Sequence, residues 1–97
     1  MQKLIYHPEA GQEIISSSQY YESQVAGLGV HFVEDFEYAI SEIEKSPLTW
    51  PILESDIRRH QLGHFPFGVI YRIQDNTIRV LAIMHLHRHP GYWKSRR

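Results

Sequence analysis

Apolar residues in this chain change their spacing once, at Ser46-Pro47, and that change restricts the fold more than any other feature. Before it they recur at the three- and four-residue steps of amphipathic helices; after it they alternate or run on continuously, as in strands. Helices grouped ahead of strands predict an α+β domain, because a parallel α/β sheet needs its helices interleaved between strands.

Lys3–Tyr6 is apolar enough for an opening strand. Pro8 then suits the first turn of a helix, where its missing N–H has no partner to lose, and Glu9 suits the positive end of the helix dipole. Ala10, Ile14, Tyr21, Val25 and Leu28 fall on one helical face. Ala26-Gly27-Leu28-Gly29 predicts a break, with a second helix from about Val30. Phe32, Phe36, Ile40 and Ile43 form its apolar stripe, beside Val33 and Ala39, and Glu34, Glu37, Glu42 and Glu44 make the opposite face acidic. Ser46-Pro47 ends it, since proline disfavours helical geometry in the preceding residue. Two such helices with a short connection predict an antiparallel hairpin.

Leu48–Ser55 reads as a loop. Ile57–Leu62, Phe67–Gln74 and Thr77–His87 read as three strands rich in β-branched and aromatic residues. Asp75-Asn76 suits a two-residue hairpin turn, as both residue types tolerate positive φ. That turn predicts a register pairing Ile73 with Ile78, Tyr71 with Val80, Val69 with Ala82 and Phe67 with Met84, an apolar face for the helix hairpin. On the other face Arg72 opposes Arg79, Ile70 opposes Leu81 and Gly68 opposes Ile83, with His85 and His87 continuing the row. Opposed arginines are destabilising unless water or an anion lies over them. An open apolar strip of Ile70, Leu81 and Ile83 with a basic border is what a partner segment would cover. Arg58 and Arg59 should split across their strand, so that at most one joins this face.

Charge is polarised along the chain. Residues 1–54 carry two cations against nine acids, a balance of −7, and residues 55–97 carry eight cations against two acids, a balance of +6. The second half therefore suits an acidic partner, nucleic acid or protein, though two solvated surfaces of opposite sign would look the same. Cysteine is absent, which excludes disulfides, thiolate metal sites and a cysteine nucleophile. The N-terminal residues lack the apolar core of a signal peptide, and the longest apolar stretch, Val80 to Met84, is too short to span a bilayer. One domain over residues 1–97 and a cytoplasmic location, without membrane association, are the expectations.

The run from His85 to Arg97 is the most distinctive segment. His85, His87 and His89 would share one side of a strand, but Pro90 follows at once and no carboxylate lies nearby in sequence, so a metal site is not expected. RNA cleavage by 2′-hydroxyl attack needs acid–base groups, a cation over the phosphate and a ring for stacking. Arg72, His85, His87, Arg88 and Tyr92 could supply them, with Trp93 as a second ring. Equally, Tyr92 and Trp93 could fold the tail back on the sheet by burial. No phosphate-binding glycine loop or nucleophile elbow is present, and no cofactor is implied.

Several phrases in order are similar to the RelE/ParE superfamily of type II toxin–antitoxin (plasmid stabilisation) toxins. They are Tyr20-Tyr21, Gly27-Leu28-Gly29 with Phe32, Ser46-Pro47 and Ile57-Arg58-Arg59. Phe65-Pro66-Phe67-Gly68-Val69-Ile70-Tyr71-Arg72-Ile73 follows, then Val80 to His85 with His87-Arg88 and Pro90-Gly91-Tyr92-Trp93. The resemblance implies an N-terminal strand and an α-helical hairpin on a mostly antiparallel sheet. It also implies a growth-inhibiting toxin neutralised by a cognate antitoxin, with operator DNA contacted only through that antitoxin. RelE-like members cut mRNA on the ribosome as metal-independent endoribonucleases; ParE-like members poison DNA gyrase. Gly68 stands where the ribosome-dependent YoeB type has an arginine, and no lysine occurs between Lys45 and Lys94, whereas the aliphatic run ending at His85 resembles the ParE ending. The ParE branch is the expectation, with an mRNA nuclease or an inactive binding module as alternatives. Antitoxin or target contact is expected at Arg58, Ile70, Arg72, Arg79, Leu81, Ile83, Arg88 and Trp93.

Overall fold

The computed structural model describes residues 3–97, so Met1 and Gln2 of the expected 1–97 domain lie outside the described residues. Strand β1 (Lys3–Tyr6) leads into helices α1 (Pro8–Gln24) and α2 (Leu28–Lys45). Strands β2 (Ile52–Glu54), β3 (Ile57–Gln61), β4 (Phe67–Gln74) and β5 (Thr77–His85) follow, then a 3-10 turn at Lys94–Arg96. The sheet order is β1-β5-β4-β3-β2, with β1 parallel to β5 and the other pairs antiparallel. The α+β architecture expected from the change in spacing is the one found.

Local chemistry sets the helix ends. Pro8 occupies the first turn of α1, and the His7 side chain accepts the Glu9 N–H at 3.1 Å as its cap. Gly27 takes φ 89° between the helices, a conformation that favours glycine. The Glu22 carboxylate accepts the N–H groups of Gly27 at 2.9 Å and Gly29 at 3.0 Å, so α2 starts at Leu28 rather than near Val30. Those two amides hold the Glu22 carboxyl below its usual range. A side chain at Gly29 would come 2.6 Å from the Ser18 carbonyl oxygen, so glycine here lets the two helices approach.

The helix-facing core joins Phe32, Phe36, Ala39, Ile40 and Ile43 of α2 to Phe67, Val69, Tyr71, Ile78, Val80 and Ile83 of the sheet. Phe32 sits among Tyr21, Phe65 and Phe67, with ring centroids 5.5, 5.4 and 5.0 Å away. The Tyr71 hydroxyl donates to the Pro47 carbonyl at 2.6 Å, tying the end of α2 to the sheet, and burial pushes this phenol up to about 12.

Asp35 is a buried acid on the otherwise apolar side of α2. Its carboxylate accepts the N–H groups of His64 and Phe65, both at 2.9 Å, and so pins the β3–β4 loop. Burial by itself would raise its pKa, but the Phe65 and His64 amides and the His64 ring outweigh it and hold the carboxyl low. A depressed carboxyl stabilises the fold above its unfolded pKa, near 3.9, and that contribution disappears as pH falls through the folded value. Asp35→Asn is therefore expected to cost about 1.5–3 kcal/mol at neutral pH. It should also flatten the acid limb of the stability curve below about pH 4, as read by urea unfolding across pH. An unchanged acid limb would show that other carboxylates govern it.

Asp75 and Asn76 both take positive φ, 52° and 57°, in the expected two-residue turn. The predicted pairs nearest the turn are present: Ile73–Ile78, Arg72–Arg79 and Tyr71–Val80. Beyond them the register departs from the expectation. A bulge places Leu81 as one extra residue on β5, so Ile70 opposes Ala82, Gly68 opposes Met84, Val69 opposes Ile83 and Phe67 opposes His85. Ile83 and His85 consequently face the helices, not the outer surface where they were expected. An extra residue in one strand of a pair exchanges the faces of everything after it.

Three boundaries also differ. The expected loop Leu48–Ser55 contains β2, whose edge position tolerates the neighbouring Pro51. The last strand ends at His85 rather than His87, because the chain turns there, with the Arg88 N–H on the His85 carbonyl at 3.0 Å. The strand expected to reach Leu62 ends at Gln61.

Candidate functional site

The outer face of the sheet is where the sequence points, and the tail decides what that face offers. Ile57, Ile70, Leu81, Ala82 and Met84 form a second apolar cluster there. Trp93, only 2% exposed, lies on this cluster with Tyr92 beside it. The expected open strip is thus covered by the chain's own C-terminus. Burial of these residues outweighs the freedom of a terminal segment, since a tryptophan removes 150–250 Å² or so from water.

The basic border is rearranged as well. Arg72 donates to Asp56 at 2.9 Å, which supplies the counter-charge that the Arg72–Arg79 pairing requires, and Arg79 remains exposed. Arg59 shares the outer face with Ile70, whereas Arg58 pairs with Tyr71 and donates to the Leu48 and Trp50 carbonyls at 3.0 and 2.7 Å. Arg58 is therefore a loop anchor on the helix side, not part of the outer basic border.

The tail turns around the open end of β5 and meets the first half of α1. The Arg96 side chain, 8% exposed, lies 3.0 Å from Glu13 and 3.5 Å from Glu9. Burial by itself would lower the Arg96 pKa, but Glu13 and then Glu9 keep it raised. The Arg88 and Arg96 guanidinium carbons stand 3.9 and 5.0 Å from the Tyr92 ring centroid, within cation–π range. Burial and the adjacent Glu13 carboxylate push the Tyr92 hydroxyl far above the usual phenol range. Lys94 and Arg97 both lie 3.1 Å from Glu54, which ties the tail to β2 as well.

Beside this knot, α1, β5 and the tail enclose a groove of about 720 Å³. Tyr21, Phe67 and Ile83 line it with apolar surface, and His85 and Arg88 stand along it. His85 Nδ1 accepts the His87 N–H at 3.1 Å, which leaves Nε2 as the ring's donor.

Four of the five candidate nuclease groups gather at the end of β5 and Arg72 does not: the His85 and His87 ring centroids lie 5.4 Å apart, and Arg88 stands 3.9 Å from the Tyr92 ring centroid. Arg72 sits five residues along β4 from Phe67, the partner of His85, a distance of about 16 Å at strand rise. The Tyr92 ring, expected to stack on a base, already carries the Arg88 and Arg96 guanidinium groups at 3.9 and 5.0 Å. His85 and Arg88 alone share the groove, and His87 has left the strand in the turn after His85. Among the described residues no group of three His, Asp or Glu side chains is placed to hold a metal ion. Nor is any described helix long and apolar enough to cross a membrane.

Residues 4–90 match the sequence model of the ParE toxin of the type II toxin–antitoxin system parDE. The chain belongs to the ParE toxin family. No curated protein matches it in sequence. Among solved structures, this ParE-family chain is similar to a chain of the chromosomal ParDE toxin–antitoxin system from P. aeruginosa, with a TM-score of 0.77 and 17% identity. That match covers 90% of this chain and 98% of the other. The isolated E. coli RelE toxin matches with a TM-score of 0.63 and 16% identity, over 98% and 95% of the two chains. A chain of the YoeB–YefM complex from Staphylococcus aureus matches at 0.57 and 15%, over 87% and 95%. At these identities the likeness is one of fold.

Glu9, Glu13 and Arg96 are the site residues that sequence reasoning did not single out, and Arg59 is the one of the Arg58–Arg59 pair that joins the outer face. A signal for Glu13 was present: it stands three residues after Ala10, on the side of α1 that packs against the sheet, where an unpaired charge is costly. Nothing in the sequence identified Arg96 as its partner 83 positions away in the chain.

Proposed function

We propose that this ParE-family chain poisons DNA gyrase without catalytic chemistry of its own and is neutralised by a cognate antitoxin. The observation that carries this reading is the family match across residues 4–90. The separation of Arg72 from the histidines along β4 supports it. Antitoxin contact is placed on what remains accessible of the expected surface, Arg79, Arg88 and the outside of the folded tail; Ile70, Leu81 and Trp93 contribute only where the tail is lifted. Operator DNA is reached through the antitoxin, and the site of action is the cytoplasm.

Inducing the chain without antitoxin should arrest growth with DNA-damage signalling, and the purified chain should inhibit supercoiling by gyrase. Normal supercoiling at a large excess of the chain would reject the gyrase target. One observation favours a second reading, a ribosome-dependent mRNA nuclease: His85 and Arg88 share the groove beside α1. It requires codon-positioned cuts that vanish in His85→Ala and Arg88→Ala, and intact transcripts during arrest would exclude it. Unaffected growth on induction would leave an inactive binding module.

A further inference from the structure

At its hairpin end the outer face of the sheet carries cations on three adjacent strands. Lys3 of β1 is opposite Thr77 and Ile5 is opposite Arg79, while Arg79 is opposite Arg72 of β4. Partners in register share a face, and residues two apart on a strand return to it. Lys3, Arg79 and Arg72 therefore lie on one side, on strands about 4.8 Å apart. Arg97 joins them from the tail, across a hollow of about 310 Å³ that it lines together with Arg79, Gln74, Ile5 and Leu81. No described carboxylate lines that hollow.

The acids within reach do not cancel this charge. Asp56 takes Arg72 at 2.9 Å, and Glu54 is shared by Lys94 and Arg97 at 3.1 Å each. Lys3 and Arg79 are exposed, and among the described residues neither stands in an ion pair. Even with Asp75 of the turn counted, five cations meet three carboxylates on this face. Arg96 is not one of the five, because it is committed at the edge of β5. There it holds Glu13 and donates to the Leu81 carbonyl at 3.1 Å, while Glu13 accepts the Ile83 N–H at 2.9 Å. The exposed acids of α2, Glu34, Glu37 and Glu44, belong to the helix layer on the other side of the sheet.

Trp93 covers the apolar cluster of this face, so what the face offers is charge with little apolar surface. A protein segment that orders on binding needs apolar burial to offset its lost freedom. A phosphodiester backbone needs only cations, and a free guanidinium such as that of Arg79 can hold a phosphate by two parallel hydrogen bonds. We propose that this face binds the phosphate backbone of a duplex nucleic acid, with Lys3, Arg79 and Arg97 as its three phosphate contacts. The acidic helix layer, repelled by the same polyanion, turns the basic face toward it. Backbone contacts carry no sequence information, so operator recognition stays with the antitoxin. An antitoxin that covers Arg79 displaces the nucleic acid. The inference goes beyond the gyrase reading and does not require it.

The test titrates the full chain into a fluorescent duplex of mixed sequence, once as DNA and once as RNA. On DNA, three phosphate contacts give a log–log salt slope of about −2.7, so affinity should fall about 40-fold between about 50 and 200 mM salt. Arg79→Ala should weaken binding at low salt and reduce the slope to about −1.8, a fall of about 12-fold over the same range. It also removes the opposition to Arg72, so the chain stays folded, with an unchanged urea midpoint as the check. Arg79→Lys should keep the slope, and Lys3→Gln should lower it as Arg79→Ala does. Lys45→Ala, which removes an exposed cation from the end of α2, should change nothing. Binding of either duplex with this dependence supports the proposal, and the tighter arm identifies the source of the backbone. No binding below about 1 mM chain at low salt, equal losses in Arg79→Ala and Lys45→Ala, or displacement of the duplex by a glutamate peptide at equal concentration of charge overturns it. A chain that binds in this way and leaves supercoiling normal loses the gyrase target alone.

Discussion

Trp93→Ala is expected to destabilise the chain by about 3–5 kcal/mol, the range for truncating a large buried aromatic. For a domain whose whole stability is about 5–15 kcal/mol, this is the difference between folded and marginal. Trp93 lies on Ile57, Ile70, Leu81, Ala82 and Met84, and alanine would leave that cluster facing water or a cavity. The midpoint of urea unfolding should fall by about 2 M, taking a slope of roughly 2 kcal/mol/M. Trp93→Phe separates packing from polarity. The Trp93 indole N–H is buried without a hydrogen-bond partner, a condition that costs about 1–3 kcal/mol. Phenylalanine removes that unmet donor while keeping a ring, so its loss should be well below that of alanine. A small effect of Trp93→Ala would mean that the tail does not rest on the sheet in solution. The outer strip would then be open, as the alternation of residues along the strands suggests.

Glu13→Leu is expected to be comparably severe, at about 3–5 kcal/mol, because it leaves a buried arginine without its main counter-charge. Glu9, at 3.5 Å and more exposed, remains a weaker partner for Arg96. The Ile83 N–H also loses its acceptor. The double variant Glu13→Leu with Arg96→Met distinguishes two origins for this loss. If the pair acted only as two charges, replacing both with apolar groups would restore most of the stability. Because each also caps an edge group of β5, the double variant should stay about 1–3 kcal/mol below the unaltered chain, with the Leu81 carbonyl and Ile83 N–H left unpaired. Thermal or urea unfolding of all four combinations measures the coupling. Full recovery in the double variant would rule out the capping role.

The two predictions concern residues of very different legibility. Trp93 could be read in advance as an anchor, because a large aromatic near a terminus gains most by burial. Glu13 could be noticed as a charge on a packed helix side, but its partner could not be named. Ion pairs between distant segments depend on how a tail is routed, and no local pattern encodes that route.

Among the elements, the helix hairpin was the most legible. Phe32, Phe36, Ile40 and Ile43 repeat at helical steps, and Pro8 and Ser46-Pro47 mark its two ends. The Asp75-Asn76 turn was legible for a similar reason, as its chemistry is local and its φ values follow from residue type. The bulge at Leu81 was not. Val80-Leu81-Ala82-Ile83-Met84 is apolar at every position, so shifting the register by one residue changes no hydrophobic match and leaves no trace in the pattern. That one residue moved His85 and Ile83 from the expected basic face to the helix side. β2 escaped notice because three residues beside a proline carry too little periodicity to read.

By itself, the sequence determined the class of fold, the order of its elements apart from β2, the polarised charge and the resemblance to the RelE/ParE toxins, because each of these depends on residue type and short-range spacing. The tertiary structure decided which residues form the site. It turned an open strip into one covered by Trp93, separated Arg72 from His85, and brought Glu13 and Arg96 together over the edge of β5. Those outcomes depend on a one-residue bulge and on the path of a short tail, and both are set by competition among packings that local sequence leaves nearly equal in energy.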